Sequence, residues 1–304
     1  MSVNWSALGI LRVLVGGANT AVATLLREVG AVVASGHARY VWRGQRRADW
    51  PLRTSLHRRL VANNDTFDEK TVASRERELL DEAHLCGWDR VSDLVGGSEL
   101  DRFELTARLQ HHGAATNFLD VTSDPFVALF FACEHARRDK SASALFAIRV
   151  DDSSTARARK YNPTRSDPPD YPLYKSAITN LLNGTVPKCR YLLYEPYPFD
   201  ERIRVQHGRF LVGDIPEAAE MDYTSIPLGL LAQADELARI KQLVERSSGR
   251  PSKAGPARAV MWRITPSVGQ ALGTTLKQRF DYVPSTIYPD IEGFCNERAH
   301  DCPF

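Results

Sequence analysis

Gln110-His111-His112-Gly113-Ala114-Ala115-Thr116-Asn117-Phe118-Leu119-Asp120-Val121-Thr122 runs through Ser123-Asp124-Pro125 into a strongly apolar stretch, residues 126–133. The last residues before Ser123 read as an extended segment, in which Phe118, Asp120 and Thr122 share one face. Ser123-Asp124-Pro125 supplies a capping residue followed by a proline in the first helical turn, so a buried helix begins there and is expected over 126–137. A carboxylate and a hydroxyl thus project together beside a helix N-terminus, whose free amides attract phosphate. Polar groups of this density against so apolar a helix need a reason.

Outward from this junction the pattern is mixed. Upstream, residues 71–86 and 99–110 are rich in Glu, Leu and Arg with apolar residues three and four apart, which predicts helices. Before them a strand is expected over 38–43, with Tyr40 and Trp42 on one face, Val41 and Arg43 on the other, and Gly44 ending it. Residues 5–34 read as helix, broken at Gly16-Gly17, and form a packing or partner surface. Downstream, strands are expected at 144–150, 191–194, 202–206, 209–212 and 257–264, a helix at 230–246, and a second cap-plus-proline start at Thr265-Pro266. Residues 151–172 and 246–258 have the composition of loops. Helices and strands interspersed in this way predict an α+β fold.

Composition sets the bounds. At 304 residues, 43% of them hydrophobic, the chain can bury a sizeable core without metal or disulfide staples. Cys86, Cys133, Cys189, Cys295 and Cys302 are odd in number and include no C-x-x-C pair, which fits reduced thiols in a cytoplasm better than a disulfide framework. A net charge of +2 is too small to coat nucleic acid or an anionic membrane, so any polyanion site must be local. Arg12, Arg27 and Glu28 interrupt the apolar N-terminal region, which argues against a signal peptide, and the apolar run 126–133 is too short to span a bilayer.

Three segments carry candidate chemistry. Arg43 stands at a strand end before Gly44, a glycine that admits a ligand to the backbone, and its guanidinium offers a bidentate fork for phosphate. The Gln110–Thr122 stretch supplies Gln110, His111, Asp120 and Thr122. The run Arg202-Ile203-Arg204-Val205-Gln206-His207-Gly208-Arg209-Phe210 is an amphipathic strand interrupted by a glycine, read as a bulge or a close ligand approach. Each residue also has an ordinary structural role open to it: Arg43 in a surface ion pair, Asp120 capping a turn or holding Arg43, Thr122 bonding the backbone, Gln110 satisfying buried amides. His111 and His112 are adjacent and diverge in direction, which disfavours a metal site.

Taken in order, these segments resemble the FRG domain. Trp42-Arg43-Gly44 is similar to its aromatic-Arg-Gly motif, and Leu56-His57-Arg58-Arg59 and Glu78-Leu79-Leu80 to its Arg and Glu-Leu-Leu elements. Gln110-His111-His112-Gly113, Leu119-Asp120-Val121-Thr122 and Ala128-Leu129-Phe130-Phe131-Ala132 resemble its most specific block. Arg202 or Arg204 with Gln206-His207-Gly208-Arg209-Phe210, and Ile287-Tyr288-Pro289-Asp290-Ile291-Glu292-Gly293, are similar to its later elements, so the resemblance runs over residues 38–295. Ala115, Asn117 and Val121 depart from the usual proline, arginine and tryptophan, which implies an altered pocket lining.

The order Arg43-Gly44, Thr122, Gln206 is in turn similar to the Arg, Ser/Thr, Glu order of ADP-ribosyltransferases. That resemblance implies a split β-sheet core with surrounding helices over 37–304, preceded by an N-terminal helical segment over 1–36. It implies NAD as substrate, Arg43, Thr122 and Gln206 as catalytic residues, and Arg43, Gly44, Gln110, His111, Asp120 and Thr122 around the nucleotide, with no metal. Glu195 and Glu201 are the carboxylates near Gln206, which can orient an acceptor but not deprotonate it. The acceptor is a nucleic acid or a protein, with Arg46-Arg47 and the basic 246–258 stretch favouring the former; a toxin or phage-defence setting follows by analogy. The alternatives are a non-catalytic module that binds a nucleotide or a partner, and a metal-dependent hydrolase built on His111, His112, Asp120 and Asp124.

Overall fold

The computed structural model describes residues 10–13, 17–34, 39–50, 54–65, 69–90, 100, 102–150, 155–157, 191–196, 201–213, 259–291 and 295. In chain order its elements are β1 (Ile10–Val13), α1 (Ala18–Ala34), β2 (Arg39–Gln45), α2 (Ser55–Ala62), α3 (Glu69–Leu85), α4 (Arg102–His111), β3 (Phe118–Thr122) and α5 (Pro125–Cys133). There follow β4 (Ser143–Val150), β5 (Thr155–Arg157), β6 (Tyr191–Glu195), α6 (Glu201–Val205), β7 (Gly208–Gly213), β8 (Ala259–Ile264), α7 (Pro266–Phe280) and α8 (Pro284–Ile287). The strands form an 8-stranded sheet in the order β1-β8-β4-β2-β3-β7-β6-β5. Neighbours from β8 through β6 are antiparallel, while β1 on β8 and β5 on β6 are parallel. The fold is α+β.

Strand alternation decides what each face buries. Tyr40, Trp42, Leu145, Ala147, Trp262 and Ile264 point to the face covered by α1, α5 and α7, where they meet Leu25, Val29, Leu129, Val268 and Leu272. Trp42 and Trp262 stack there with centroids 6.0 Å apart, and the Trp262 indole donates to the buried Glu28 carboxylate at 2.8 Å. This tie spares Glu28 an uncompensated burial and fastens α1 to β8. Val41, Leu119, Val121, Phe146, Ile148, Leu193 and Leu211 bury the opposite face. Each such side chain contributes about 1.5–3 kcal/mol when fully buried.

Two local devices seat α5, the helix nearest the cleft described below. The first is Gly44: a Cβ at that position would lie 1.8 Å from the Ala128 carbonyl oxygen and 2.7 Å from the Ala132 amide nitrogen. The helix backbone therefore rests directly on β2. The second is the cap. Asp124 Oδ1 accepts from the amides of Phe126 and Val127 at 2.7 and 3.4 Å with Pro125 in the first turn, and Tyr282 donates its hydroxyl to Asp124 Oδ2 at 3.0 Å. Burial first, then the Asp124 carboxylate, pushes the Tyr282 phenol up to about 12.

The structure corrects several expectations. Residues 10–13 of the segment read as one broken helix are strand β1, paired with β8; the Ile-Leu-Arg-Val stretch suits either state by pattern, and a sheet edge settled it. Gly44 does not end its strand, and the backbone of α5 packs closely against it. Residues 201–205 form a helix where an amphipathic strand is expected, with Ile203 buried and His207 taking the left-handed turn (φ 48°) into β7. Gly208 keeps ordinary contact distances of 3.5 Å to Ile203, so neither a bulge nor a close ligand requires it. Within the expected 151–172 loop, residues 155–157 are strand. The expected 230–246 helix lies outside the described residues.

Gly44→Ala should lower stability by about 3 kcal/mol or more, because the clash is with backbone that cannot rotate away, as read by urea denaturation. Tyr282→Phe tests the cap. Its folded pKa is raised, so the contribution of this phenol is complete below pH 10 and declines as pH rises from 10 towards about 12. The variant should be less stable by about 1 kcal/mol below that range, and the gap to wild type should narrow within it.

Candidate functional site

β2 and β3 pair at a single position, Trp42 opposite Thr122. Beyond it the two strands part, and the Arg43 guanidinium turns into the gap, donating from Nη1 to the Asp120 carbonyl oxygen at 2.6 Å. An arginine thus satisfies a strand carbonyl that a continuous ladder would give to a backbone amide. Its side chain is 15% exposed, and its buried Nε has no hydrogen-bond partner among the described residues. Burial lowers the Arg43 pKa, Asp120 acts against that, and the positive charge of Arg58 reinforces it.

The opening continues as a cleft of about 420 Å³. Arg43, Gly44, Gln110, His111, Asp120, Thr122 and Gln206 all line it, so residues from the three separate stretches of sequence converge as expected. Their roles within it differ. Asp120 is 57% exposed and lies 3.9 Å from Arg43 Nη1. Gln110 holds it: Nε2 donates to Asp120 Oδ2 at 2.9 Å while Oε1 accepts from Ser55 and Thr116 at 3.1 and 2.8 Å. The amide of Gln110 is therefore oriented by its own network, and Asp120 with it.

Thr122 is buried, and its hydroxyl is fully engaged. It donates to the Gln206 carbonyl oxygen at 2.7 Å and accepts from the Asp124 amide at 3.0 Å, tying β3 to the end of α6 and to the cap of α5. Gln206 in turn donates from Nε2 to the Ile287 carbonyl oxygen at 3.0 Å, while its amide oxygen has no partner among the described residues. Of the two nearby glutamates, Glu195 pairs with Arg39 and, at 3.5 Å, with Arg209. Glu201 pairs with Arg204 at 3.0 Å. Neither lines the cleft.

Sequence reasoning misses the opposite wall. Phe131 on α5, Glu134 and His135 in the turn that follows it, and Tyr288 face the cleft, together with Arg202 on α6 from the candidate 202–210 run. The spacing of Phe131, Glu134 and His135, three and four apart, is the signal that places them on one helix face. Tyr288 donates to Glu134 at 3.1 Å, and its phenol is pushed well up by burial and by the Glu134 anion. Asp290 grips Arg202 through two bonds of 2.5 Å, with the guanidinium 5.5 Å over the Tyr288 ring. That aspartate belongs to the Tyr288-Pro289-Asp290 stretch.

The basic pair expected to favour nucleic acid is committed locally. Arg46 pairs with Asp139, its Nη2 lying 2.6 Å from Oδ1, and Arg47 pairs with Asp49 at 2.6 Å and covers the Trp50 ring. The 246–258 stretch lies outside the described residues. Among the described residues no group of three or more His, Cys, Asp or Glu is placed to hold a metal ion, and the His111 and His112 rings meet edge-on at 81°. No described helix is long and apolar enough to cross a membrane.

Thr122→Val should cost about 1–3 kcal/mol of stability, since it strands the Gln206 carbonyl and the Asp124 amide in a buried setting. Thr122→Ser should recover most of it. Equal stability of wild type and the valine variant in chemical denaturation would contradict the tie described above.

Comparison with curated proteins and with solved structures gives no match. One family model does match, over residues 38–141. That range is about a third of the chain. It runs from β2 through α5 and holds Arg43, Gly44, Gln110, His111, Asp120 and Thr122, whereas Arg202, Gln206 and Tyr288 lie outside it. The part of the chain that builds the Arg43 side of the cleft is an FRG domain.

Proposed function

We propose that this protein is an NAD-dependent ADP-ribosyltransferase acting on a macromolecular acceptor, with the NAD diphosphate bound by Arg43. The observation that carries this reading is the Arg43 guanidinium itself: a permanently charged fork, mostly buried, with an unpartnered Nε, at the parting of two strands. A buried arginine of this kind binds diphosphate strongly, because little water competes for it. The cleft volume of about 420 Å³ suits a nucleotide-sized ligand, and Phe131 and Tyr288 offer ring surfaces for its bases.

In the reaction the bond between ribose C1′ and the nicotinamide nitrogen breaks, and the electron pair leaves with nicotinamide. A nucleophilic atom of the acceptor then bonds to C1′ and gives up its proton to solvent water. The chain stabilises the cationic sugar through the Asp120 and Glu134 carboxylates that line the cleft. The free amide oxygen of Gln206 accepts a hydrogen bond from the acceptor and orients it. Thr122 acts by holding Gln206 and the α5 cap in place, as its hydroxyl has no donor left for a ribose.

That last point also favours a second reading, a nucleotide-binding module without turnover, because the hydroxyl and the glutamine of the expected catalytic order are both tied to backbone. Nicotinamide release from NAD, measured with and without single-stranded DNA, RNA or cell lysate, separates the two. Release by wild type and its loss in Arg43→Ala, with NAD affinity weakened roughly ten- to hundredfold, is the expected result for a lost charge-assisted bond of about 1.5–3 kcal/mol. Saturable NAD binding without release selects the module. No NAD binding in a folded wild-type protein overturns the transferase, and no binding of any nucleotide overturns both.

A further inference from the structure

A second cleft, of about 410 Å³, lies against the first. The clefts share one wall, Gln110 and Asp120, and the far side of the second is the α2 helix with Ser55, Arg58 and Arg59. Arg58 and Arg59 are exposed, and among the described residues neither side chain has an ion-pair or hydrogen-bond partner. This sets them apart from Arg46, Arg47, Arg202 and Arg209, each of which faces a carboxylate.

The position of α2 is not incidental. Thr54 caps it, accepting from the His57 amide at 3.2 Å and donating to Asn117 Oδ1 at 3.2 Å. Ser55 Oγ donates to Gln110 Oε1 and accepts from the Thr116 amide, both at 3.1 Å. The helix that carries the two arginines is thus bonded to the same glutamine that orients Asp120. The carboxylate of Asp120, the negative group of the shared wall, is already drawn to Gln110 and Arg43. The positive charge on the α2 side therefore stands uncompensated, close enough to Arg43 for Arg58 to depress the arginine's pKa.

We propose that this second cleft is an anion site that takes a phosphate group through Arg58 and Arg59, separate from the ligand of Arg43. Two adjacent guanidiniums match a phosphate dianion in charge and offer it donors from two directions. A carboxylate brings half that charge and fewer acceptor oxygens for the two forks. The phosphate arrives either on a free nucleotide, as a monoester dianion, or within a nucleic-acid strand, where each diester brings one charge and the neighbouring phosphates add to it. The cleft could then hold a strand beside the Arg43 cleft, but the assignment of a phosphate site stands whether or not NAD is consumed there.

The test measures direct binding of inorganic phosphate, adenosine monophosphate and a fluorescent single-stranded oligonucleotide to the full chain. Wild type is compared with the double variant Arg58→Ala/Arg59→Ala and with the charge-keeping Arg58→Lys/Arg59→Lys. Both arginines are exposed, so the fold should survive; thermal melting checks it. Expected is saturable phosphate binding by wild type, at least tenfold weaker in the alanine pair and partly kept in the lysine pair, with NAD affinity changed far less than phosphate affinity. Oligonucleotide binding well above that of the mononucleotide, with a salt slope reduced by about 0.7 in the alanine pair, assigns the phosphate to a strand; equal binding of both assigns it to a free nucleotide. Failure of wild type to bind any phosphate probe, or equal affinity in wild type and the alanine pair, overturns the proposal. Nicotinamide release is read separately with Arg43→Ala, so either site can fail alone.

Discussion

The contact on which the rest of the molecule depends is the meeting of the α5 backbone with Gly44. A helix normally stands off a sheet by the length of its side chains; here one strand residue has none, and the Ala128 carbonyl occupies that space. The approach fixes how far α5 lies from β2 and thereby where Glu134 and His135, just past its C-terminal end, enter the cleft. It also leaves the helix start beside Thr122, so the Asp124 cap, the end of β3 and the Gln206 turn share a single chain of hydrogen bonds. Arg43, next to the glycine, inherits its position from the same constraint.

The cleft shows a division of labour among its polar groups. Gln110 and Thr122 are spent on organisation, their hydrogen-bonding capacity directed at Asp120, Ser55, Thr116, Gln206 and Asp124. Arg43 and Asp120 keep capacity for something else. A buried guanidinium and a half-exposed carboxylate, held by fully satisfied neighbours, give a field that needs little rearrangement when a charged ligand arrives. The three arginines Arg43, Arg58 and Arg59 around Asp120 make this corner basic although the chain as a whole is nearly neutral.

Residue patterns foretold the parts of this arrangement governed by local chemistry. The alternation of Tyr40, Val41 and Trp42, the extended Phe118–Thr122 segment, and the Asp124-Pro125 helix start follow from short-range rules and appear as expected. The convergence of Arg43, Gln110, Asp120, Thr122 and Gln206 was also visible, through family resemblance more than through physics. What patterns could not show were choices settled by distant partners. Arg202-Ile203-Arg204-Val205 alternates like a strand, yet Asp290 and Tyr288, far along the chain, hold it as one helical turn. Ile10–Val13 is strand because β8 offers an edge. The close approach of α5 to Gly44 is likewise settled by a distant partner, as nothing local says that a helix backbone will come so near.

The ties between α6 and the Ile287–Asp290 stretch bear on the order in which this molecule is made. The Arg43 wall is encoded early, but Arg202 and Gln206 are fastened by Asp290 and by the Ile287 carbonyl. A nascent chain on the ribosome can therefore form the β2, β3 and α5 corner long before its facing wall is anchored. Until translation passes Asp290 the half-built cleft lacks the clamp on its Gln206 side.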